Sequence, residues 1–191
     1  MTHFEPGEFK EIESSISKYD EEREKLIQQS REIIKQSKVV INGIHRNEDV
    51  KKELLELEKQ KKGLKKIIEH KKELNDEGMA KVAFQEYVEA KLFYDFITGR
   101  KLTKKTLEIC DEHYLLGICD LTGELARMAV LSATKKKYEM VEKVREVIEE
   151  IHTFFLRLNL RNSELRKKSD QIKWNLKKVE DILYDISLRK D

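Results

Sequence analysis

Two stretches of the chain are nearly free of charge, and each is long enough to form a whole helix. They are Val82–Ile97 and Tyr114–Thr134, which together hold 7 charged residues in 37, whereas the other 154 residues carry 69. A helix that is apolar nearly all round has to be buried. These two segments therefore predict the two central helices of the fold, with highly charged helices packed around them.

Helical periodicity extends over the rest of the chain. One proline and seven glycines leave little material for tight turns. We predict an all-α fold, a bundle of six or seven helices in a single domain spanning residues 1–191. The apolar stripes that carry this prediction are Phe9, Ile12, Ile16, Tyr19, Leu26, Ile33, Val40 and Ile44; Val50, Leu54, Leu57, Leu64 and Ile68; Val141, Val144, Ile148, Ile151 and Phe155; and Ile172, Leu176, Val179, Leu183 and Ile186.

Polar and glycine residues mark the expected helix ends. Asn47 is placed to cap the second helix, and Thr103 to cap a short piece before the second apolar segment. Gly99 is a natural residue to follow the end of the first apolar helix. Residues 75–78 are expected to end the second helix, and a break at 159–162 to precede the last one.

The composition argues against several classes of protein. With 39 basic and 37 acidic residues, the net charge of +2 gives no general argument for nucleic-acid binding. The two cysteines, Cys110 and Cys119, are too few for a disulfide scaffold or a zinc site, and they suggest reduced thiols in a cytosolic protein. The N-terminus has no apolar core of a signal peptide, so a cytoplasmic location is expected.

Tyr114–Thr134 is long enough to span a bilayer, but its charges argue against it. Asp120, Glu124 and Arg127 would each cost about 2.5–3.5 kcal/mol near the centre of a membrane helix. We therefore interpret this segment as a buried helix of a water-soluble bundle, and we expect no membrane partner.

Four carboxylates stand out within the two apolar segments: Glu86, Glu89, Asp120 and Glu124, called the four acids below. Glu86 and Glu89 are three residues apart and Asp120 and Glu124 are four apart, so each pair shares one helix face. Facing carboxylate pairs on central helices are a common way for bundles to hold divalent metals. Oxygen donors alone suit Mg²⁺ or Mn²⁺ better than zinc.

From spacing and burial alone, structural ion pairs or partly exposed helix faces explain the same residues better than a metal site does. Arg127 follows Glu124 by three residues and lies on the same stripe. Lys81 or Lys91 could pair with the two glutamates of the first apolar segment. Spacing alone does not separate a metal site from such pairs, because acids are abundant throughout the chain.

Basic clusters offer candidate contacts to a phosphate backbone, although in so charged a chain each is more often a solvated face. Our candidates are Lys65 and Lys66 in the first cluster, His113 just before the second apolar segment, and Arg127 near the acids of that segment. No histidine stands in a nucleophile motif with a serine or cysteine. The clusters are Lys61, Lys62, Lys65 and Lys66; Lys135–Lys137; and Arg161, Arg166, Lys167 and Lys168.

Five segments of the chain resemble the translin/Trax family, and the resemblance is clearest from about Phe84 onward. The block Asp120–Leu125, with the sequence DLTGEL, is fairly specific. The resemblance covers most of the chain. Its segments are QEYVEA at 85–90, YLLG at 114–117, DLTGEL at 120–125, LNLRNSELRKK at 158–168 and KKVEDILYDISLR at 177–189.

The resemblance implies more than periodicity does. It implies a seven-helix bundle that assembles into closed, hollow octamers and binds single-stranded RNA or DNA. Subunits of the Trax type carry a Mg²⁺-dependent endoribonuclease site on the inner wall, and the family's catalytic and metal-binding acids fall on Glu86, Glu89, Asp120 and Glu124. The full acid set is Trax-like, whereas the C-terminal helix is more similar to translin.

This mixture suggests a single ancestral, archaeal-type subunit that forms a homo-oligomer. The expected function is Mg²⁺-dependent cleavage of single-stranded RNA within a hollow homo-oligomer, with Mn²⁺ as a possible substitute. The first alternative is a non-catalytic oligomer of the translin type that binds single-stranded RNA or DNA. A second alternative is a cytosolic helical scaffold.

Overall fold

The computed structural model describes residue 5 and residues 7–74, 77–161 and 164–188. Within those ranges there are six α-helices, one short 3-10 turn at Lys72–Leu74 and no strand, which confirms the all-α prediction. The helices are α1 (Glu8–His45), α2 (Lys51–His70), α3 (Gly78–Ile97), α4 (Asp111–Thr134), α5 (Tyr138–Leu156) and α6 (Glu164–Leu188).

The two apolar segments form α3 and α4, which lie at the centre of the bundle as predicted. α3 packs against α1 and α4, and α4 packs against α5 and α6. Both central helices bury side chains on several faces, among them Leu92, Phe93, Leu121 and Leu125, all at most 1% exposed. The acids carried by these helices are therefore held on rigid, well-packed elements.

A close approach of α3 and α4 depends on Gly117. A Cβ atom built on Gly117 would lie 2.6 Å from two side-chain atoms of Val88 and 2.8 Å from the carbonyl oxygen of Gln85. Since real Cβ atoms do not make contacts this short, only glycine fits where the two backbones meet. This contact lies beside the acids of α3 and one turn before Asp120.

Asn47 ends α1 and does not cap α2, so this prediction was wrong. Its φ of 58° is left-handed. Its N–H donates to the carbonyl of Ile44 at 3.0 Å, and the N–H of Glu48 donates to the carbonyl of Gly43 at 2.9 Å. That pair of hydrogen bonds is the Schellman arrangement for closing a helix, in which asparagine can replace glycine. α2 begins after Val50, without a side-chain cap.

The other predicted helix ends were confirmed only in part. Gly99, with φ 69°, ends α3 as predicted. Thr103 accepts a hydrogen bond from the N–H of Lys105 at 3.2 Å, but a turn follows it instead of a helical piece. The expected signals at residues 75, 76 and 162 lie outside the described residues.

The stripe of α1 is buried only in its second half. Leu26, Ile33 and Val40 are fully buried, whereas Phe9, Ile12 and Ile16 are 61%, 48% and 58% exposed. The early part of the stripe therefore does not contribute to the core of the chain. The stripes of α5 and α6 are buried at Val141, Val144, Ile148, Phe155, Ile172, Leu176 and Val179.

Among the described residues, no helix is both long and apolar enough to cross a membrane.

Candidate carboxylate site

An open cleft of about 440 Å³ lies where α3, α4 and α6 meet, and we call it the acid cleft. It contains three of the four acids, and the side chains that surround them come from all three helices. The lining residues are Gln85, Glu86, Glu89, Cys119, Asp120, Gly123, Lys168, Gln171 and Asn175.

Glu89 is the most perturbed of the four acids. It is 9% exposed, and burial, followed by the charges of Asp120, Glu86 and Glu124, raises its pKa to about 8. The pKa of Glu86 is raised too, first by burial. The mutual effects mean that all four carboxylates lie within electrostatic range of one another. At neutral pH the Glu89 carboxyl is therefore largely protonated.

Asp120 is held by residues of α3 and α6. The ammonium of Lys168 donates to both carboxylate oxygens, at 2.8 Å to Oδ1 and 2.7 Å to Oδ2. The side-chain amide of Gln85 donates to Oδ2 as well. Asp120 is thus fully engaged by neighbouring donors in this structure.

Glu124 is held by the end of α1. The Nε2 atom of His45 lies 2.5 Å from Oε2 of Glu124, and the Nη1 atom of Arg127 lies 3.5 Å from the same oxygen. The hydrogen bond to His45 is the largest influence that lowers the pKa of Glu124. His45 is itself buried against Phe93, with ring centroids 5.0 Å apart.

Structural ion pairs involve only two of the four acids, Asp120 and Glu124. The pair of Arg127 with Glu124 is present, as one alternative suggested. Lys91, however, pairs with Asp95 at 2.6 Å and not with Glu86 or Glu89, so that alternative was wrong. Lys81 lines a different cleft. Within the described ranges, the ion pairs around the acid cleft go to Asp120 and Glu124 and none goes to Glu86 or Glu89.

The four predicted nucleic-acid contacts do not share one surface. Lys65 and His113 line a second cleft of about 300 Å³, where Lys65 is 3.0 Å from Glu108. His113 stacks on Phe84, and burial lowers its pKa, which disfavours the charged form that would attract phosphate. Lys66 is exposed on α2. Only Arg127 lies beside the acids.

The donor chemistry of the four acids fits a divalent cation. They supply oxygens only. Burial, followed by the charges of Asp120, Glu86 and Glu124, raises the pKa of Glu89 to about 8, and a bound cation would favour the carboxylate form. The side chains are not gathered around one point, however. No group of three or more His, Cys, Asp or Glu side chains in the described part of the chain is arranged to hold a metal ion.

Sequence reasoning did not assign His45 or Lys168 to the site. His45 was one of several scattered histidines, and Lys168 belonged to a basic cluster considered for phosphate contact. Their partners are 79 and 48 residues away in the sequence. No local pattern signals contacts of that range.

The fold and site together define a helical bundle in which carboxylates of the two central helices line one cleft. A model of the Translin family matches residues 21–190, and the chain belongs to that family. Translin from Gallus gallus is 42% identical over 78 residues, or 41% of this chain and 34% of that protein. The chain thus aligns with about a third of the length of this relative.

Translin-associated protein X and two solved structures match over nearly the whole chain. The protein from Rattus norvegicus is 28% identical over 225 residues, covering 95% of this chain and 78% of that protein. The crystal structure of apo-NeC3PO superposes with a TM-score of 0.86 at 25% identity, covering 96% and 98% of the two chains. The AfC3PO complex with duplex RNA has a TM-score of 0.78 at 24% identity, covering 95% and 97%, and shows the shared fold.

Proposed function

We propose that this protein is a Mg²⁺-dependent endoribonuclease that cleaves single-stranded RNA. The observation that carries the proposal is the acid cleft, in which Glu86 and Glu89 of α3 and Asp120 of α4 lie together, with the pKa of Glu89 raised to about 8. The match to Translin-associated protein X over 95% of the chain supports it.

Each acid has a distinct part in this proposal. Glu86, Asp120 and Glu124 would bind the cation, with His45 fixing the orientation of Glu124. Glu89 holds a proton at neutral pH, and a cation bound to the other three acids would favour release of this proton, because a nearby positive charge lowers the pKa of a carboxyl group. A bound divalent cation would polarise the scissile phosphate and stabilise the leaving oxygen. Once deprotonated, Glu89 is the candidate general base for the attacking water.

We propose in addition that the active form is a hollow homo-oligomer. The family resemblance implies that this oligomer is an octamer. The exposed apolar residues Phe9, Ile12 and Ile16 at the start of α1 support association, because a helical stripe of this kind normally packs against another surface. A cytoplasmic location remains our expectation.

A second candidate function is non-catalytic binding of single-stranded RNA or DNA by a translin-type oligomer. Two observations favour it. The local identity to translin reaches 42%, and both oxygens of Asp120 are already occupied by Lys168. The two functions differ in whether any Mg²⁺-dependent cleavage exists.

The test is incubation of labelled single-stranded RNA with the wild type, Asp120→Asn and Asp181→Asn, with Mg²⁺ or with EDTA. Asp181 is an exposed aspartate of α6 that pairs with Lys177, so its substitution matches the charge change outside the cleft. We expect Mg²⁺-dependent products with 5′-phosphate ends from the wild type and Asp181→Asn only. RNA binding without cleavage by all three proteins would favour the second function.

A further inference from the structure

Lys168 places a positive charge at the centre of the acid cleft. Its ammonium lies almost equally far from the two carboxylate oxygens of Asp120, at 2.8 Å and 2.7 Å, and each of the two side chains is 27% exposed. Both oxygens that Asp120 could offer to a ligand are therefore occupied by one internal cation.

The neighbouring acids of α3 lie in the same cleft. Glu86, Glu89 and Asp120 line it together with Lys168, which is the one basic residue among the described residues of that lining. Within the described ranges no ion pair goes to Glu86 or Glu89. An ammonium is a compact point charge with three donors, which makes it a reasonable substitute for a small cation.

The position of Lys168 is fixed by the packing of α6 on α4. Ile172, one turn further along α6, is fully buried. The side-chain amide of Asn175 donates to the hydroxyl of Thr122 at 2.8 Å. The lysine is therefore presented to Asp120 by a docked helix and is not a loose surface side chain.

We propose that Lys168 is the resident counter-cation of the acid cleft, and that a divalent cation has to displace it from Asp120. This inference rests on the proposed function, since it requires that the four acids hold a divalent cation. It accounts for a cleft that is rich in oxygen donors and yet has no preassembled metal geometry in the described residues. Lys168 then sets how tightly the chain takes up the metal.

If Lys168 had a purely structural role, the expected effect of its removal on metal binding would be the opposite. If the lysine only organises the acids for the metal, then its removal weakens metal binding. If it competes with the metal, then its removal frees Asp120 and eliminates a repulsive charge, so that metal binding becomes tighter. The sign of the change in metal affinity separates the two roles.

The experiment measures Mn²⁺ binding to the full chain by the electron paramagnetic resonance signal of free Mn²⁺, without RNA. We expect Lys168→Met to bind Mn²⁺ about five- to tenfold more tightly than the wild type, given the modest strength of a partly exposed ion pair. Lys167→Met is the matched control, because Lys167 is an exposed neighbour with the same charge. Its affinity should stay within about twofold of wild type.

A second readout is the melting temperature in EDTA and in Mn²⁺. Lys168→Met should melt below the wild type in EDTA, where the acids have lost their counter-cation, and should gain more from Mn²⁺. Lys168→Gln gives the same comparison if the methionine variant does not fold.

Two results would overturn the proposal in different ways. The first is unchanged or weaker Mn²⁺ binding by both Lys168 variants, together with loss in Asp120→Asn of the binding seen in the wild type. This result would overturn the proposed role of Lys168 but not the proposed metal site. Absence of Mn²⁺ binding in the wild type and in the Lys168 variants would overturn the proposed metal site as well.

Discussion

The Nε2 atom of His45 lies 2.5 Å from Oε2 of Glu124, so the last residue of α1 is joined to the middle of α4. The bond is partly buried, since the His45 side chain is 3% exposed and that of Glu124 is 24% exposed. The buried Nδ1 atom of His45 has no partner among the described residues. Among the described residues, the hydrogen bond from Nε2 to Glu124 is therefore the one directed polar interaction that positions the His45 ring.

We predict that His45→Phe impairs the site, because the phenyl ring can still pack on Phe93 but cannot hold Glu124. Loss of such a positioning hydrogen bond reduces metal affinity or activity about 10- to 100-fold. The measurement is the Mg²⁺-dependent cleavage rate together with Mn²⁺ affinity. His70→Phe is the control, since His70 also ends its helix but is exposed. Equal losses in both variants would contradict the assignment.

The same substitution should change the acid stability of the protein. The pKa of Glu124 is lowered in the folded state, so its ionised form stabilises the fold above the unfolded value near 4.5, and this contribution is lost as the pH falls through the folded pKa. His45→Phe should therefore melt below the wild type at neutral pH, and the gap should shrink under acidic conditions. A gap that widens on acidification would contradict this cause.

Glu89 should have the opposite pH dependence. Its pKa is about 8 in the folded state against 4.5 unfolded, so its contribution to stability is complete below 4.5 and is lost as the pH rises towards 8. Glu89→Gln, which cannot ionise, should melt about 5 °C above the wild type in EDTA at about pH 9 and close to it at about pH 5. Glu146→Gln, an exposed glutamate of α5, should show no such difference.

Gly117→Ala should destabilise the protein, because its Cβ would meet Val88 and the backbone of Gln85 at 2.6–2.8 Å. We expect a loss of about 1–3 kcal/mol in the free energy of unfolding. Gly123→Ala on the same helix meets only the amide nitrogen of Asn175, at 3.9 Å, and should gain about 0.5–1 kcal/mol. Urea unfolding at one fixed protein concentration compares the two, and equal effects would refute the close-approach argument.

Two lysine–aspartate pairs with the same four-residue spacing should differ sharply in strength. Lys91 and Asp95 are buried, with side chains 11% and 6% exposed, whereas Lys177 and Asp181 are 57% and 64% exposed. Lys91→Met leaves a buried carboxylate without its main partner and should cost about 3 kcal/mol. Lys177→Met should cost less than about 0.5 kcal/mol. Urea unfolding measures both, and similar losses would rule out burial as the deciding factor.

The sequence predicted the centre of the fold well, because charge depletion in Val82–Ile97 and Tyr114–Thr134 reports burial directly. Helix ends were less predictable. Asn47 suits the start of a helix and the end of one equally well, and only the hydrogen bonds of Glu48 and Asn47 to α1 decide between them. The stripe in the first turns of α1 was correctly read as helical, but periodicity does not say which surface a stripe meets.

The site was predictable only in its acids, whose metal-binding role stays a prediction. Local spacing could place each carboxylate pair on one helix face, because that depends on neighbours within four residues. It could not find His45 or Lys168, which reach Glu124 and Asp120 from other helices. Lys91 shows a different limit. It has several acids near it on α3, and spacing alone does not decide that its partner is Asp95, four residues further along the same helix.

The separation of Lys168 from the acids along the chain has a consequence for biosynthesis. The ribosome completes α3 and α4 well before α6, so a nascent chain contains Glu86, Glu89 and Asp120 while Lys168 has still to be made. During that interval these three carboxyl groups lack the charge of Lys168, and we expect docking of α3 on α4 to be least favourable at high pH and low salt. In the proposed role of Lys168, synthesis of the last helix supplies a charge that favours packing of the two central helices.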